Sequence, residues 1–99
     1  MANAHIYILL CADGSFYTGL TRRDPIERLS EHEQGLDPKS YTFRRRPLTL
    51  VYSEPFERVD EAVATERRIK LWSRAKKQAL IAGDYERLKC LASRKKTRS

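Results

Sequence analysis

Cysteine, glycine and proline are scarce in this sequence, and long hydrophobic runs are missing. The two cysteines, Cys11 and Cys90, have neither the paired CxxC spacing of a zinc site nor the density of a disulfide-rich secreted domain. The longest apolar stretch, residues 6–12, is far shorter than the roughly 20 residues that span a bilayer, and no charged segment precedes it as in a signal peptide. We therefore expect free structural thiols, a cytoplasmic location and no membrane partner.

The composition predicts one small domain with a basic surface. The chain of 99 residues is 40% hydrophobic and 33% charged, which favours a single folded domain with a small core. It has 20 lysine and arginine residues against 13 aspartate and glutamate residues, a net charge of +7. Such an excess favours a polyanionic partner, either nucleic acid or an acidic membrane face. We expect the domain to cover residues 1–92, followed by a flexible basic tail at 93–99.

The first twenty residues predict a β-hairpin. Residues 5–11 are almost uninterrupted in their apolar character, which is typical of a strand buried on both faces. Turn-forming residues follow, and residues 16–21 resume a β-rich pattern. The hairpin therefore supplies two of the strands of the sheet.

The length of the hairpin loop decides which side chains share a face. A two-residue loop would place Tyr7 and Tyr17 on opposite faces of the sheet. A three-residue loop with Gly14 in the left-handed region would pair Tyr7 with Gly19 and place both tyrosines on one face. The sequence leaves both registers open, and the second would leave space over the sheet beside Tyr7.

A helix and a third strand are predicted next. Asp24 and Pro25 provide an N-cap and a first helical residue for a helix that ends near Gly35. Residues 48–53 have strand character, and Pro55 is expected to end that strand. The apolar side of the helix is predicted to consist of Ile26, Leu29 and Leu36.

Three further helices complete the predicted fold. Asp60 is expected to cap the first of them, residues 74–82 form the next, and residues 85–91 form the last. We predict an α+β fold in which the hairpin and the third strand form a three-stranded antiparallel sheet flanked by helices. The predicted element order is β-β-α-β-α-α-α.

Two tripeptides in the hairpin resemble a known family signature. Residues 5–7 (His-Ile-Tyr) and 17–19 (Tyr-Thr-Gly) are separated by nine residues. They resemble the paired tripeptides that name the GIY-YIG nuclease superfamily, with His5 in place of the first glycine. Arg28, His32 and Glu66 follow in the family's order on matching predicted elements. Over nearly the whole chain, the sequence looks most like the small stand-alone bacterial GIY-YIG proteins.

Helical geometry independently singles out Glu66. At about 100° per residue, it falls near the middle of an apolar arc, so its carboxylate is expected to face inward. A buried carboxylate without a partner is costly, so it should meet a cation, either an arginine in a structural role or a divalent metal in a functional one. The arc is formed by Val59, Ala62, Val63 and Ile69.

Arg28 and His32 lie four residues apart on the first predicted helix. This spacing puts them on the flank of its apolar side, where both side chains can reach one place. Spacing alone fits a solvated arginine beside a histidine at the edge of the core. The family resemblance instead favours a shared catalytic site.

The resemblance implies a metal-dependent endonuclease that hydrolyses phosphodiester bonds in structured DNA. Tyr17 would accept or relay the proton of the attacking water with help from His32. Arg28 would bind the phosphate, and Tyr7 would position the water or the phosphate. Glu66 would hold one Mg²⁺ or Mn²⁺ ion, as a lone carboxylate does for a partly hydrated ion.

The nucleic acid is expected to be DNA rather than RNA, and a lone catalytic domain is expected to use a targeting protein. The alternative is a nucleic-acid-binding module that retains the GIY-YIG fold without catalysis. Basic clusters suit phosphate contacts, although each also fits a merely solvated surface. Trp72 is expected to fill the core rather than to stack on a base. The predicted nucleic-acid-binding residues are Arg44, Arg45, Arg46, Arg67, Lys70, Arg74, Lys76 and Lys77.

Overall fold

The computed structural model describes residues 2–97, with side chains over 2–92. Three strands form one antiparallel sheet in the order β2-β1-β3, so β1 is central. The predicted α+β class and the predicted element order are confirmed. The elements are β1 (Ala4–Leu10), β2 (Phe16–Thr21), α1 (Pro25–Gln34), a 3-10 turn (Phe43–Arg45), β3 (Thr49–Phe56), α2 (Val59–Lys70), α3 (Arg74–Ala82) and α4 (Tyr85–Thr97).

The end of the chain differs from the prediction in one respect. Helix α4 continues beyond Leu91, where the sequence predicted its end. The predicted flexible tail at 93–99 lies outside the residues whose side chains are described, so its flexibility stays a prediction. None of the helices in the described range is both long and apolar enough to cross a membrane.

The hairpin has the three-residue loop. Tyr7 pairs with Gly19 and Leu9 pairs with Tyr17, and the Cys11 amide donates to the Ser15 carbonyl at 2.9 Å. Gly14 has a φ of 85°, a left-handed conformation that glycine adopts without steric cost. Tyr7 and Tyr17 therefore share one face of the sheet.

Gly19 is the residue that makes room for Tyr7. A Cβ added at Gly19 would lie 2.4 Å from both Cζ and Oη of the Tyr7 ring. The space that the sequence predicted over the sheet is therefore filled by the phenol itself, and Tyr7 is only 1% exposed. Gly19, which has no side chain, thus sets the position of Tyr7.

The two faces of the sheet carry separate cores. One face packs Ile6 and Ile8 against Ile69 of α2 and Leu80 of α3, with Trp72 at the edge of this cluster as predicted. The other face is covered by α1 and by the loop that follows it. Its cluster consists of Tyr7, Leu9, Cys11 and Leu48, with Tyr17, Leu29 and Leu50 packed against them.

Helix α1 has the predicted ends but a different buried face. Asp24 caps its first turn and Gly35 ends it in the left-handed conformation. Ile26 and Leu36 are 59% and 66% exposed, however, so their assignment to the apolar side was wrong. The face that packs on the sheet instead begins at Pro25 and continues through Leu29 to His32, at spacings i, i+4 and i+7. The sheet side of α1 therefore presents a histidine.

Two boundary predictions are corrected by the structure. Strand β3 does not end at Pro55 but runs through it to Phe56, because β3 is an edge strand, where a missing N–H is tolerated. Helix α2 begins at Val59 with Arg58 as N-cap, so Asp60 lies within the first turn and does not cap it. The Asp60 carboxylate pairs with Arg58 at 2.8 Å instead.

The contact between Gly19 and Tyr7 yields a stability prediction. Gly19→Ala should lower the free energy of unfolding by about 1–3 kcal/mol, because the added methyl group forces the Tyr7 ring to move. Denaturant unfolding would measure the loss. In a Tyr7→Leu background, which removes the atoms in conflict, the same alanine should be tolerated much better. Equal losses in both backgrounds would contradict this contact.

Candidate active site

A pocket of about 250 Å³ opens between β2, α1 and the loop that follows α1. Of the four predicted catalytic residues, Tyr17, Arg28 and His32 line it directly. The fourth, Tyr7, is buried and hydrogen-bonded to His32. The structure therefore brings together side chains from both hairpin strands and from the first helix.

A chain of buried hydrogen bonds fixes His32. The Tyr7 hydroxyl lies 3.1 Å from Nε2 of His32, and Nδ1 of His32 lies 2.7 Å from Oγ1 of Thr42. Oγ of Ser40 lies 3.0 Å from the same threonine oxygen. Both ring nitrogens are thus engaged, which holds the imidazole in one orientation.

Burial keeps both members of this pair neutral near pH 7. Burial, with help from the nearby Arg28 charge, lowers the pKa of His32 below its ordinary value. Burial is also the largest cause that raises the pKa of Tyr7 to about 12, with Tyr17 adding to it and Arg28 opposing it. Tyr7 is therefore a phenol that can donate a hydrogen bond, and His32 is an uncharged imidazole that can accept one.

Arg28 is oriented by an acidic neighbour, Glu31, that was not among the residues predicted from the sequence. Its Nη1 lies 2.7 Å from Glu31, and the same carboxylate lies 2.6 Å from Arg23. The hydrogen bond to Glu31 is the largest cause that raises the pKa of Arg28. The i, i+3 spacing of Arg28 and Glu31 on a helix could have indicated this pair from the sequence.

An aromatic stack forms one wall of the pocket. Tyr17 contacts His32 edge-on at 5.3 Å between ring centroids, and on another side it stacks with Tyr41 at 6.0 Å. Cζ of Arg45 lies 3.8 Å from the centroid of the Tyr41 ring. Tyr41 and Thr42 were missed because residues 37–46 have no periodic pattern that marks a functional position.

Glu66 reaches the region from α2 and is paired with a lysine. Its side chain is 14% exposed, and Oε2 lies 3.0 Å from Nζ of Lys70. The carboxylate therefore meets a cation as predicted, but this cation is a lysine of the same helix and not an arginine. Glu66 also lies close enough to raise the pKa of Tyr7, as the last of several causes.

The donor set around Glu66 fits a partly hydrated metal ion rather than a protein cage. Within the described residues, no group of three or more His, Cys, Asp and Glu side chains is placed to hold a metal. One carboxylate is nevertheless a normal protein contribution for Mg²⁺, which keeps several of its waters. Lys70 is the group that would compete with such an ion.

Two of the predicted nucleic-acid-binding residues serve the structure. Arg45 lies 3.0 Å from the carboxylate of Asp13 and so ties the loop to the hairpin turn. Arg46 donates to the carbonyls of Phe43 and Glu33 at 2.9 and 3.0 Å. Their donors are largely committed to the protein.

The other six residues predicted to bind nucleic acid differ in their exposure and in their partners. Arg44 and Arg67 are exposed, and Lys70 is paired with Glu66. Arg74 lies over the Phe16 ring at 4.4 Å and Lys76 over the Trp72 ring at 4.5 Å. Lys77 is half-buried, and burial lowers its pKa. Contact of these residues with nucleic acid stays a prediction.

Comparison with known proteins gives consistent matches along most of the chain. The family described as GIY-YIG catalytic domain matches residues 3–79. A UPF0213 protein of Halobacterium salinarum is 46% identical over 77 residues, which cover 78% of this chain and 97% of the relative. A UPF0213 protein of Staphylococcus saprophyticus is 45% identical over 82 residues, which cover 83% and 98%.

Two solved structures share the fold. The solution NMR structure of a UPF0213 protein from Bacillus halodurans matches with a TM-score of 0.53 and 39% identity, covering 85% of this chain and 90% of that chain. The solution NMR structure of a protein from E. faecalis matches with a TM-score of 0.57 and 35% identity, covering 86% and 92%. The family match at residues 3–79 spans all three strands, α1 and α2.

The lowered pKa of His32 predicts how stability depends on pH. The unfolded chain takes up this proton near pH 6.5, whereas the folded chain takes it up only at a lower pH. The contribution of His32 to stability is therefore complete above about pH 6.5 and is lost as the pH falls toward the folded pKa. Unfolding midpoints between about pH 7.5 and about pH 5.5 would measure it.

His32→Asn is the matched variant for this measurement, since it cannot titrate. Its stability should fall less steeply than that of the wild type over the same pH range. An NMR titration of the His32 ring provides an independent check. A ring that titrates at or above its ordinary pKa would contradict the assignment.

Proposed function

Because the chain belongs to the GIY-YIG catalytic domain family, we propose that it is a metal-dependent endonuclease that hydrolyses phosphodiester bonds in structured DNA. The observation that carries this proposal is the buried series of hydrogen bonds from Tyr7 through His32 to Thr42. It lies beside a pocket that Tyr17 and Arg28 line. Phosphodiester hydrolysis needs an acceptor for the proton of water, a group that neutralises the phosphate, and stabilisation of the leaving oxygen. The site has a residue for each task.

In this proposal, Tyr17 accepts or relays the proton of the attacking water. The water oxygen forms a bond to phosphorus while the bond from phosphorus to the leaving oxygen breaks. His32 supports Tyr17 because it is a neutral base in edge contact with the Tyr17 ring. The hydrogen bonds of His32 to Tyr7 and Thr42 keep it in place during the transfer.

Arg28 acts on the phosphate. Arg28 is held by Glu31 on one side and retains donors that can bind phosphate oxygens, whose negative charge increases as the water attacks. Tyr7 is a buried neutral phenol bonded to His32, so it positions the water or the phosphate indirectly, by fixing the His32 ring. Glu66 is the residue that would hold one Mg²⁺ or Mn²⁺ ion, which supplies positive charge for the leaving oxygen.

A second candidate function is a nucleic-acid-binding module that retains the fold without catalysis. The ion pair between Glu66 and Lys70 favours this alternative, because it already neutralises the carboxylate without a metal. The net charge of +7 supports binding to a polyanion under either function. The two functions differ only in their requirement for a metal ion and for the catalytic side chains.

Cleavage assays separate the two functions. Glu66→Gln and Tyr17→Phe each preserve side-chain shape and should lower the cleavage rate by roughly 100-fold or more. The substrates are labelled single strands, duplexes, flaps and junctions, each with Mg²⁺, Mn²⁺ or EDTA. Metal-dependent cutting that both substitutions abolish is the expected result.

Matched control substitutions are available in the same chain. Glu61→Gln changes an exposed glutamate on the same helix as Glu66, and Tyr85→Phe changes a tyrosine that is 62% exposed. Both controls should cleave at the wild-type rate. Tight binding by the wild type without cutting in either metal would support the binding module, and cutting in EDTA would overturn the metal requirement.

A further inference from the structure

The hydrogen bonds around the imidazole allow two arrangements of their hydrogens. The series runs through Tyr7, His32, Thr42 and Ser40. Each hydroxyl group has one hydrogen to donate, and a neutral imidazole carries one hydrogen on either Nδ1 or Nε2. If every buried hydrogen is bonded, the donors all point from Tyr7 towards Ser40, or all point from Ser40 towards Tyr7.

The burial of Tyr7 selects the first arrangement. Tyr7 is 1% exposed, and within the described residues His32 is the only acceptor bonded to its hydroxyl group. The Arg28 guanidinium lies near this hydroxyl, but an arginine can only donate. In the second arrangement the Tyr7 hydrogen would be buried without an acceptor, which is rare in folded proteins. Tyr7 therefore donates to Nε2, and His32 carries its hydrogen on Nδ1.

This direction determines what the Ser40 hydroxyl group can offer. Nδ1 of His32 donates to Oγ1 of Thr42, so Thr42 donates its own hydrogen to Oγ of Ser40. The same Ser40 oxygen accepts from the backbone amide of Thr42 at 3.3 Å. Both lone pairs of Ser40 are thus occupied, while its hydrogen has no acceptor among the residues that the structure describes. Ser40 is half-buried and lines the same pocket as Arg28, so this hydrogen can point into the pocket.

We propose that Ser40 donates a hydrogen bond to a phosphate oxygen of the nucleic acid in this pocket, and that Thr42 positions both Ser40 and His32. A hydroxyl group whose oxygen already accepts two hydrogen bonds can only donate, so it suits an oxyanion rather than a cation. Serine hydroxyl groups are among the usual protein donors to nucleic-acid phosphates. Ser40 is thus a substrate-binding residue, and Thr42 is a positioning residue.

This inference rests on the proposed function, because it takes the ligand of the pocket to be the phosphate that Arg28 binds. Arg28 supplies positive charge, whereas Ser40 supplies a neutral donor whose direction is fixed by buried groups. The two residues come from different parts of the chain, α1 and the loop that follows it. A phosphate that bonds to both would couple their contributions to binding.

The tautomer of His32 tests the buried part of the series without any ligand. NMR of isotopically labelled wild-type protein, at a pH where His32 is neutral, should find the ring hydrogen on Nδ1. Thr42→Ser keeps the hydroxyl group and should retain this tautomer. Thr42→Val removes it and should speed the exchange of the Nδ1 hydrogen with water by roughly fivefold, the effect of one hydrogen bond. A ring hydrogen on Nε2 in the wild type would overturn the proposal.

Fluorescence anisotropy with a labelled DNA flap in EDTA tests the Ser40 donor without any cleavage. Ser40→Ala should weaken binding roughly tenfold, since a hydrogen bond to a charged group contributes to that extent. In an Arg28→Ala background the same substitution should cost much less, because the shared phosphate is no longer held there. Ser30→Ala, which changes an exposed serine of α1, is the matched control and should bind like the wild type.

The two Thr42 variants separate positioning from a general loss of structure. Thr42→Ser should bind the flap like the wild type. Thr42→Val should lose roughly as much affinity as Ser40→Ala, because the Ser40 hydroxyl group is then no longer oriented. Thermal unfolding shows whether each variant is folded, and Ser40→Ala tests the donor by itself if Thr42→Val does not fold.

The outcomes separate this inference from the proposed function. Equal affinity of the wild type and Ser40→Ala for the flap overturns the Ser40 contact even if the chain cuts DNA. A roughly tenfold loss that largely disappears in the Arg28→Ala background supports the contact even if the chain cuts nothing. A loss of the same size in Ser30→Ala, or no binding of the flap by the wild type at low salt, would also overturn it.

Discussion

The packing of the Tyr7 ring against the bare Cα of Gly19 is the constraint on which the rest of the site depends. Any side chain at position 19 would lie within 2.4 Å of the phenol, and the phenol could then no longer remain where it meets His32. His32 in turn holds Thr42, the buried residue of the loop that closes the pocket. One missing side chain on β2 thus sets the positions of groups on β1, on α1 and in the following loop.

The charges around the site are largely paired within the protein. Arg28 shares Glu31 with Arg23, and Arg23 also lies 3.9 Å from Glu27, so two carboxylates match the two guanidinium groups beside the pocket. Close to Tyr17 and Tyr41, Glu66 balances Lys70, but no described carboxylate balances Lys77. An uncommitted cation beside aromatic rings suits an anion that also carries flat apolar groups, as a nucleic acid strand does.

The sequence predicted the parts of the fold that depend on local rules. The capping residues of α1 and the left-handed glycine at its end act over a few residues, so their pattern was sufficient. The choice between hairpin registers was not local, because Gly14 suits either loop and the pairing of Tyr7 depends on the whole sheet. The buried face of α1 was also decided by packing, which selected His32 over the exposed Leu36.

The site itself was predicted only where a family pattern marked the residues. Tyr17, Arg28 and His32 were identified through resemblance, and geometry alone could not have ranked them above ordinary core residues. Thr42 carries no such mark. Its importance follows from its hydrogen bond to His32, which depends on the distance between the loop and α1.

The basic loop between α1 and β3 illustrates why charge composition overestimates contacts with a polyanion. Arg45 donates hydrogen bonds to Asp13 and to the Tyr41 carbonyl, and its guanidinium also covers the Tyr41 ring. A guanidinium suits this task because its planar fork can bond in several directions and stack at once. Arg45 therefore shapes the tyrosine wall of the pocket, so loss of its side chain would alter the geometry of the site as well as its charge. In the proposed function, affinity for DNA would come mainly from cations that the fold leaves uncommitted.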